Sequence, residues 1–442
     1  MGYRRGWVAL LIFSVVIINY MDRVALSVAA KPIAAEFGLS PVAMGYLFSS
    51  FLWTYVLCLI PIGLVVDRLG CKTIMGAGLA IWSIATGFTG LTWNYPSILI
   101  SRLFMGAGEA TSYPAGARVI RDWIPEGERG QITTIFNSGS VAGPAFGALL
   151  VAWLVSMFDW RVAFMVLGGI GFIWLAAWVI WFGPPETVSW LSSAEREKIL
   201  SERHGRDLDD DPDTAMHTGA TQSSLGHLLS IPTMWGLILS QATIVYNAYL
   251  FLTWLPSYLQ TTLHLSAMGT GIFTAIPYML TLILGFFIAR LSDRLLPPAS
   301  VRTGGRRFFV IAMMMLGLLV LVAPMVHDTV LLLVVITLVV TASNTASGIN
   351  LTMVNDLTEN PRDASRVMSL AVFGGNACGL IAPIVTGYII QATGGYEWAF
   401  RVAAALLVVG AIISLTLSRG RISAQHPADA VTGSGSPASM PA

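Results

Sequence analysis

The sequence predicts an all-α membrane protein: twelve transmembrane helices in two pseudo-symmetric six-helix bundles. Three observations carry this expectation. Hydrophobic residues make up 55% of the 442 residues and charged residues only 11%, where soluble domains carry about 25% charged. Apolar stretches recur at about 20 residues, the length that crosses a hydrocarbon core of roughly 30 Å as a helix. Basic residues crowd into alternate loops. The short alternating segments of an outer-membrane barrel are missing, so each span must satisfy its backbone hydrogen bonds as a helix. Such a composition excludes a soluble enzyme.

Taken in order, the spans fall at 7–29, 43–66, 73–93, 97–118, 130–154 and 162–182, then 232–259, 267–290, 308–325, 329–352, 364–391 and 397–418. With the N-terminus inside, the internal segments and adjoining span ends hold 20 basic residues, and the external loops and span ends three, Lys31, Arg161 and Arg401. That bias predicts both termini in the cytoplasm. The first span competes with a signal-peptide reading, since Arg4 and Arg5 precede an apolar run, but Asp22 and Arg23 fit badly ahead of a cleavage site.

Matching features recur in the two halves. Gly139 and Gly143 in the fifth span precede Gly375 and Gly379 in the eleventh by 236 residues, and Gly147 finds a looser counterpart in Gly387. Trp160 and Trp398 follow in equivalent loops, and Asp67-Arg68 ends the second span as Asp293-Arg294 ends the eighth. Three ordered correspondences predict a six-plus-six duplication. The resulting division is an N-terminal bundle at 1–182, a cytoplasmic linker at 183–231, a C-terminal bundle at 232–418 and a disordered tail at 419–442. Within the linker, Ser192 and Glu195 form a capping-box pattern, and the acidic run Asp207 to Asp213 reads as solvated.

Gly63, Asp67, Arg68, Gly70 and Lys72, between the second and third spans, carry a family resemblance: with the twelve spans they resemble the major facilitator superfamily over nearly the whole chain. The second copy, at Asp293 and Arg294, has Ala289 where a glycine would stand. Spaced glycines permit close helix contact, and the acid and bases make charge-assisted contacts, so these residues are expected to form a cytoplasmic gate. Asn19-Tyr20-Met21-Asp22-Arg23, Gly45-Tyr46, Trp53-Thr54-Tyr55, Arg102 with Gly106 and Glu109, and Thr253-Trp254-Leu255-Pro256 resemble the anion:cation symporter family, which includes bacterial galactonate, glucarate and hexuronate permeases.

Independently of the resemblance, four charged residues lie at bilayer depth, away from the span ends: Asp22, Arg23, Arg102 and Glu109. Each costs at least about 2.5–3.5 kcal/mol at bilayer depth, so each must face a partner or a wet cavity. Arg102 and Glu109 share a helix face but lie about 10.5 Å apart along it, which leaves Arg102 free to pair with an acid elsewhere; Asp22 is the best candidate. The resemblance implies that Arg23 binds the substrate carboxylate while Asp22 and Glu109, with Arg102, handle protons. It also implies contacts to hydroxylated substrate from Tyr20, Tyr55 and Asn376. Ser140 occupies a position where those permeases carry a longer amide, which argues against galactonate itself. Asn137, Tyr246, Asn247, Ser343 and Asn344 are further polar candidates, each better explained on its own as interhelical glue.

Cys58, Cys71 and Cys378 are too scattered for a disulfide framework or thiolate site, and the chain lacks a Walker loop and a metal-ligand cluster. No cofactor and no metal is expected. The reading is a non-enzymatic secondary transporter, monomeric and in the bacterial inner membrane, that imports a small organic anion, foremost a sugar acid, with protons by alternating access. Nucleic acid is not an expected partner. Aromatic or dicarboxylic acids stay open as cargo, and Gly143-Pro144, which resembles an antiporter motif, leaves exchange open. A non-transporting membrane sensor is the reading from a different class.

Overall fold

A computed structural model describes residues 5–209, 223–360 and 363–423, with the side chains of 60, 64, 67, 203–209 and 298 outside the description. The expectations for the tail beyond Ser423, for the side chains of the acidic run and for the Asp67 side chain therefore lie outside the described residues, whereas the start of the expected disordered tail, 419–423, is ordered: Ile422 is buried and its N–H donates to the Leu357 carbonyl at 2.8 Å. The first half runs α1 (Arg5–Val28), α2 (Ala30–Phe37), α3 (Pro41–Leu69), α4 (Cys71–Thr89), α5 (Tyr95–Glu109), α6 (Ser112–Trp123), α7 (Glu126–Met157) and α8 (Trp160–Trp181). The linker contributes α9 (Ser193–Asp209) and α10 (Leu225–Ser230). The second half follows with α11 (Pro232–Thr262), α12 (Ala267–Leu295), α13 (Pro298–Val301), α14 (Arg307–Gly317), α15 (Thr329–Leu357), α16 (Ala364–Thr393) and α17 (Glu397–Leu417). Among the described residues, eleven helical segments are long and apolar enough to cross a membrane.

The twelfth crossing is divided. A continuous fourth span was the expectation, but α5 ends at Glu109 and α6 begins at Ser112. Pro114 accounts for the break: its ring displaces the carbonyl four residues back, at Ala110, and it has no N–H to donate there. The ninth crossing also departs from a plain helix, since α14 passes into 3-10 turns at Leu318–Leu321 and Ala323–Met325.

Local chemistry fixes where helices start on one face. Ser40, Asn94, Ser266 and Asp328 cap α3, α5, α12 and α15 by accepting from the N–H groups of Ala43, Ser97, Gly269 and Leu331. On the opposite face Gly70 turns α3 into α4 with φ of +80°, a conformation that a Cβ disfavours.

Close glycine contacts set the packing within each half. A Cβ on Gly143 of α7 would stand 2.5 Å from the Cβ of Tyr20, and one on Gly379 of α16 would stand 2.6 Å from a ring carbon of Tyr249. The 236-residue glycine repeat thus marks the same event twice, α7 against α1 and α16 against α11. Gly387 corrects that pattern. Gly147 packs on Met21 of its own half, whereas Gly387 meets the Pro41 carbonyl of the other half.

The halves join through α1 with α11, α3 with α16, and α7 with α12. Their joining contacts cluster toward the face that carries the α2 and α11–α12 turns. Ser27 donates to the Leu252 carbonyl at 2.9 Å, Ser49 to the Leu380 carbonyl at 2.7 Å, and Trp254 Nε1 to the Pro383 carbonyl at 3.2 Å. Gly45 and Gly271 lie too close to the Pro383 and Ala148 carbonyls for a Cβ. Toward the opposite face, which carries Arg5 and the linker, polar side chains such as Asn137 are exposed well inside the helices. The halves meet at one end and part at the other.

Candidate functional site

Asp22, Arg23, Arg102 and Glu109 come together between α1 and α5, with relative exposures of 1%, 4%, 1% and 0%. The ion pair differs from the expected one. Arg23 Nε donates to Glu109 Oε2 at 2.9 Å, while Arg102 forms no ion pair among the described residues and points Nη1 at Met105 Sδ, 3.0 Å away. Asp22 lies within electrostatic reach of Arg102 and Glu109 without a direct bond to either. Adjacent residues on a helix diverge by about 100°, and here the direction toward Glu109 belongs to Arg23.

Around the Arg23 guanidinium stand three rings, with centroids at 4.5 Å for Tyr20, 4.9 Å for Phe51 and 5.0 Å for Tyr55. These π-faces stabilise a cation in a dry setting. A fourth aromatic comes from the other half: Tyr249 on α11 accepts from Arg23 Nη1 at 3.2 Å. Sequence reasoning missed Tyr249. Its place becomes clear only in the packing, where Gly379 contacts Tyr249 as Gly143 contacts Tyr20.

The guanidinium is only half used. Arg23 Nη2 and Glu109 Oε1 are both buried without a hydrogen-bond partner. A carboxylate that docked squarely would engage two parallel N–H groups; Glu109 engages one. Asp22 Oδ1, Arg102 Nε and both amide atoms of Asn19 are likewise unpartnered and buried. Such atoms cost free energy unless water, a proton or a ligand reaches them in some state.

The polar candidates separate. Ser140 and Asn376 are half-buried, 236 residues apart, and each lies one turn from the glycine that packs on Tyr20 or Tyr249, on the side where the halves part. Their side chains bond only to their own helices, at the Asn137 and Val372 carbonyls. Asn247 is interhelical glue, donating to Thr243 and Ala403 carbonyls at 3.2 Å. Asn344 bonds back to Val340, while Tyr246 and Ser343 are buried with unpartnered hydroxyls. A further network, Asn350 to Gln241 at 2.9 Å and Gln241 to Ser347 at 2.7 Å, had no sequence signal beyond the residue types.

The gate residues lie apart from this cluster, on the face where the halves part. A Cβ on Gly63 would meet nothing within 4 Å, Arg68 is exposed, and Lys72 donates to the Val179 carbonyl at 3.0 Å. In the second copy Arg294 is exposed, and Asp293 is held by Arg306 at 2.7 Å, which also binds Asp356 at 2.6 Å. Arg306 and Asp356 were not anticipated.

Comparison with known proteins agrees with this architecture. The D-galactonate transporter of Escherichia coli O6:H1 is 34% identical over 281 residues, which are 63% of this chain and 64% of that one, just under two thirds of its length. The probable galactarate/D-glucarate transporter GarP of Escherichia coli K12 is 35% identical over 303 residues, covering 66% of this chain and 68% of the relative. In fold, a bacterial homologue of the human lysosomal transporter Spinster, crystallised in an inward-facing and unoccupied conformation, superposes with a TM-score of 0.72 at 20% identity, over 95% of this chain and 98% of that chain. The profile described as Major Facilitator Superfamily matches residues 12–301 and 295–438. With two six-helix halves packed by repeated glycines around one charged centre, this chain belongs to the Major Facilitator Superfamily of transporters.

Proposed function

We propose that this transporter carries a small organic anion, a sugar acid of the galactonate or glucarate kind, together with protons, by alternating access. The observation that carries the reading is the half-made contact between Arg23 and Glu109, 2.9 Å long, with one guanidinium nitrogen and one carboxylate oxygen left over. Arg23 cannot shed its charge, so in a dry centre it needs an anion at all times. Glu109 fills that need when ionised. A substrate carboxylate takes its place, with two parallel hydrogen bonds, only when Glu109 is protonated. Anion and proton therefore enter the site together, and neither has reason to stay once the other leaves. Asp22, near both Glu109 and Arg102, is a second proton acceptor in this scheme.

Ser140 and Asn376 supply hydrogen bonds to hydroxyls one turn nearer the open side, with Tyr20 and Tyr55 beside the carboxylate. The gate residues Gly63, Asp67, Arg68, Lys72, Asp293 and Arg294 would come together when the open face closes. On the basic-residue bias that face is cytoplasmic, both termini are inside, and the protein sits in the bacterial inner membrane as a monomer. The names of the relatives support the cargo class. The ring cage around Arg23 also suits an aromatic acid, so cargo is best decided by competition.

The test is uptake of labelled glucarate and, separately, labelled galactonate into vesicles holding the purified protein, with unlabelled sugar acids, dicarboxylates and aromatic acids as competitors. A pH gradient should drive accumulation, and dissipating it should stop accumulation. Accumulation that persists with only a sodium gradient would refute proton coupling.

A further inference from the structure

On the surface where the halves part, the loop before α14 packs against the segment after α17. A Cβ on Gly304 would stand 2.6 Å from the Ser418 carbonyl, and Arg421 Nε donates to the Arg302 carbonyl at 3.4 Å. This contact gathers Arg302, Arg307, Arg419 and Arg421 into one patch. The nearby acids are already engaged: Asp293 and Asp356 by Arg306, and Glu359 by Arg421 at 3.4 Å. Arg302, Arg307 and Arg419 have no carboxylate partner among the described residues.

Arg307 and Arg419 are also held within electrostatic reach of each other, like charge facing like charge. Their hydrogen bonds go to neutral carbonyls. Arg307 Nη1 donates to Thr303 and Ser418 at 3.3 and 3.4 Å, and Arg419 Nε to Leu415 at 2.6 Å. Arg307 Nε is buried without any partner. Inward-facing positive charge in general explains arginines in this loop; it does not explain why two lie within electrostatic reach of each other with a donor unused.

The surroundings are apolar. α14 and α17 pack side by side, and from the arginines outward they expose Phe308 (54%), Met315 (43%), Ile412 (56%) and Leu415 (40%). We propose that Arg307 and Arg419 form a binding site for an anionic phosphate group, that of a phospholipid headgroup whose acyl chains lie along the exposed rows of α14 and α17. Two guanidinium groups offer a phosphate the charge-assisted hydrogen bonds it prefers, and the anion removes their mutual repulsion. Inorganic phosphate shares the headgroup's chemistry but gains nothing from the apolar rows.

The experiment measures thermal unfolding of the full chain in phosphatidylcholine nanodiscs, with phosphatidylglycerol replacing part of the lipid in one arm and inorganic phosphate added in another. The proteins are the unmodified chain, Arg307→Gln/Arg419→Gln, and Arg401→Gln on the opposite face as control. Phosphatidylglycerol should raise the midpoint by several degrees in the unmodified chain and the control, and by less than half as much in the double variant. An equal rise from inorganic phosphate alone, also lost in the double variant, would keep the phosphate site and remove the lipid. Equal stabilisation of all three proteins, or of none by either anion, overturns the proposal. Should the double variant fail to fold, the exposed Arg419→Gln alone serves the same comparison.

Discussion

The two halves share a scaffold and divide the chemistry. In each, a helix carrying two glycines four residues apart presses against a partner helix that carries a tyrosine: Gly139 and Gly143 against α1 with Tyr20, Gly375 and Gly379 against α11 with Tyr249. Two and three residues beyond Tyr20 come Asp22 and Arg23; at the same offsets beyond Tyr249 come Phe251 and Leu252. α11 has no charged residue at all, and α15 has none before Asp356. A buried charge is costly at this depth, and a second quartet would have doubled that cost. One half holds the ionisable centre and the other supplies neutral surface, hydrogen bonds and, through Tyr249, a single hydroxyl that touches it.

The largest effect is expected from removing Arg23, the one cation that both halves touch. Arg23→Ala should abolish carboxylate binding and transport, a loss of more than about 100-fold, since stripping one member from a buried charge pair costs roughly 3–5 kcal/mol. Titration of the purified variant with galactonate, followed by calorimetry, provides the check. Unchanged affinity would remove Arg23 from the site. The matched change in the other half, Leu252→Ala, should leave affinity within a few fold.

Glu109→Gln comes next. A neutral amide no longer competes for Arg23, so the variant should exchange substrate across the membrane yet fail to accumulate it in a pH gradient. The sign of the pH effect follows from the competition. In the unmodified chain, affinity should rise as pH falls and Glu109 lets go of Arg23; in the variant it should be nearly flat. Parallel loss of exchange and accumulation would show that Glu109 holds the site together rather than coupling it.

How much of this the sequence disclosed depends on the range of the interaction. Crossings come from the composition of about 20 consecutive residues, so eleven of the twelve match helical segments within a few residues. The break at Ala110–Thr111 rests on one proline four positions downstream, a local rule that a hydropathy reading passes over. The four charges were legible because lipid makes them conspicuous, but their pairing was not. Asp22 and Arg23 are neighbours in sequence, and only packing decides which of them turns to Glu109. Tyr249 lies 226 residues from Arg23, and its contact exists only because the halves close at one end. Gly387 failed as the partner of Gly147 for the same reason: it belongs to the contact between halves, which the internal repeat does not describe.

Tyr249→Phe should have a smaller effect than either charge change, because it removes one hydrogen bond from a charged donor to a neutral hydroxyl, about 1.5–3 kcal/mol, and keeps the ring packed on Gly379. The comparison with Tyr20→Phe sharpens its meaning. Tyr20 meets Arg23 through its ring face, at 4.5 Å, so losing its hydroxyl should cost Arg23 little. Tyr249 meets Arg23 through its hydroxyl, at 3.2 Å, and does so across the closed end of the halves. Tyr249→Phe should therefore shift the balance of conformations, lowering by a few fold the protection of Ser27 and Leu252 amides from hydrogen exchange in the substrate-free protein, while Tyr20→Phe leaves that protection alone. If both variants loosen the closed end equally, the hydroxyl of Tyr249 is not what ties the charged half to the neutral one.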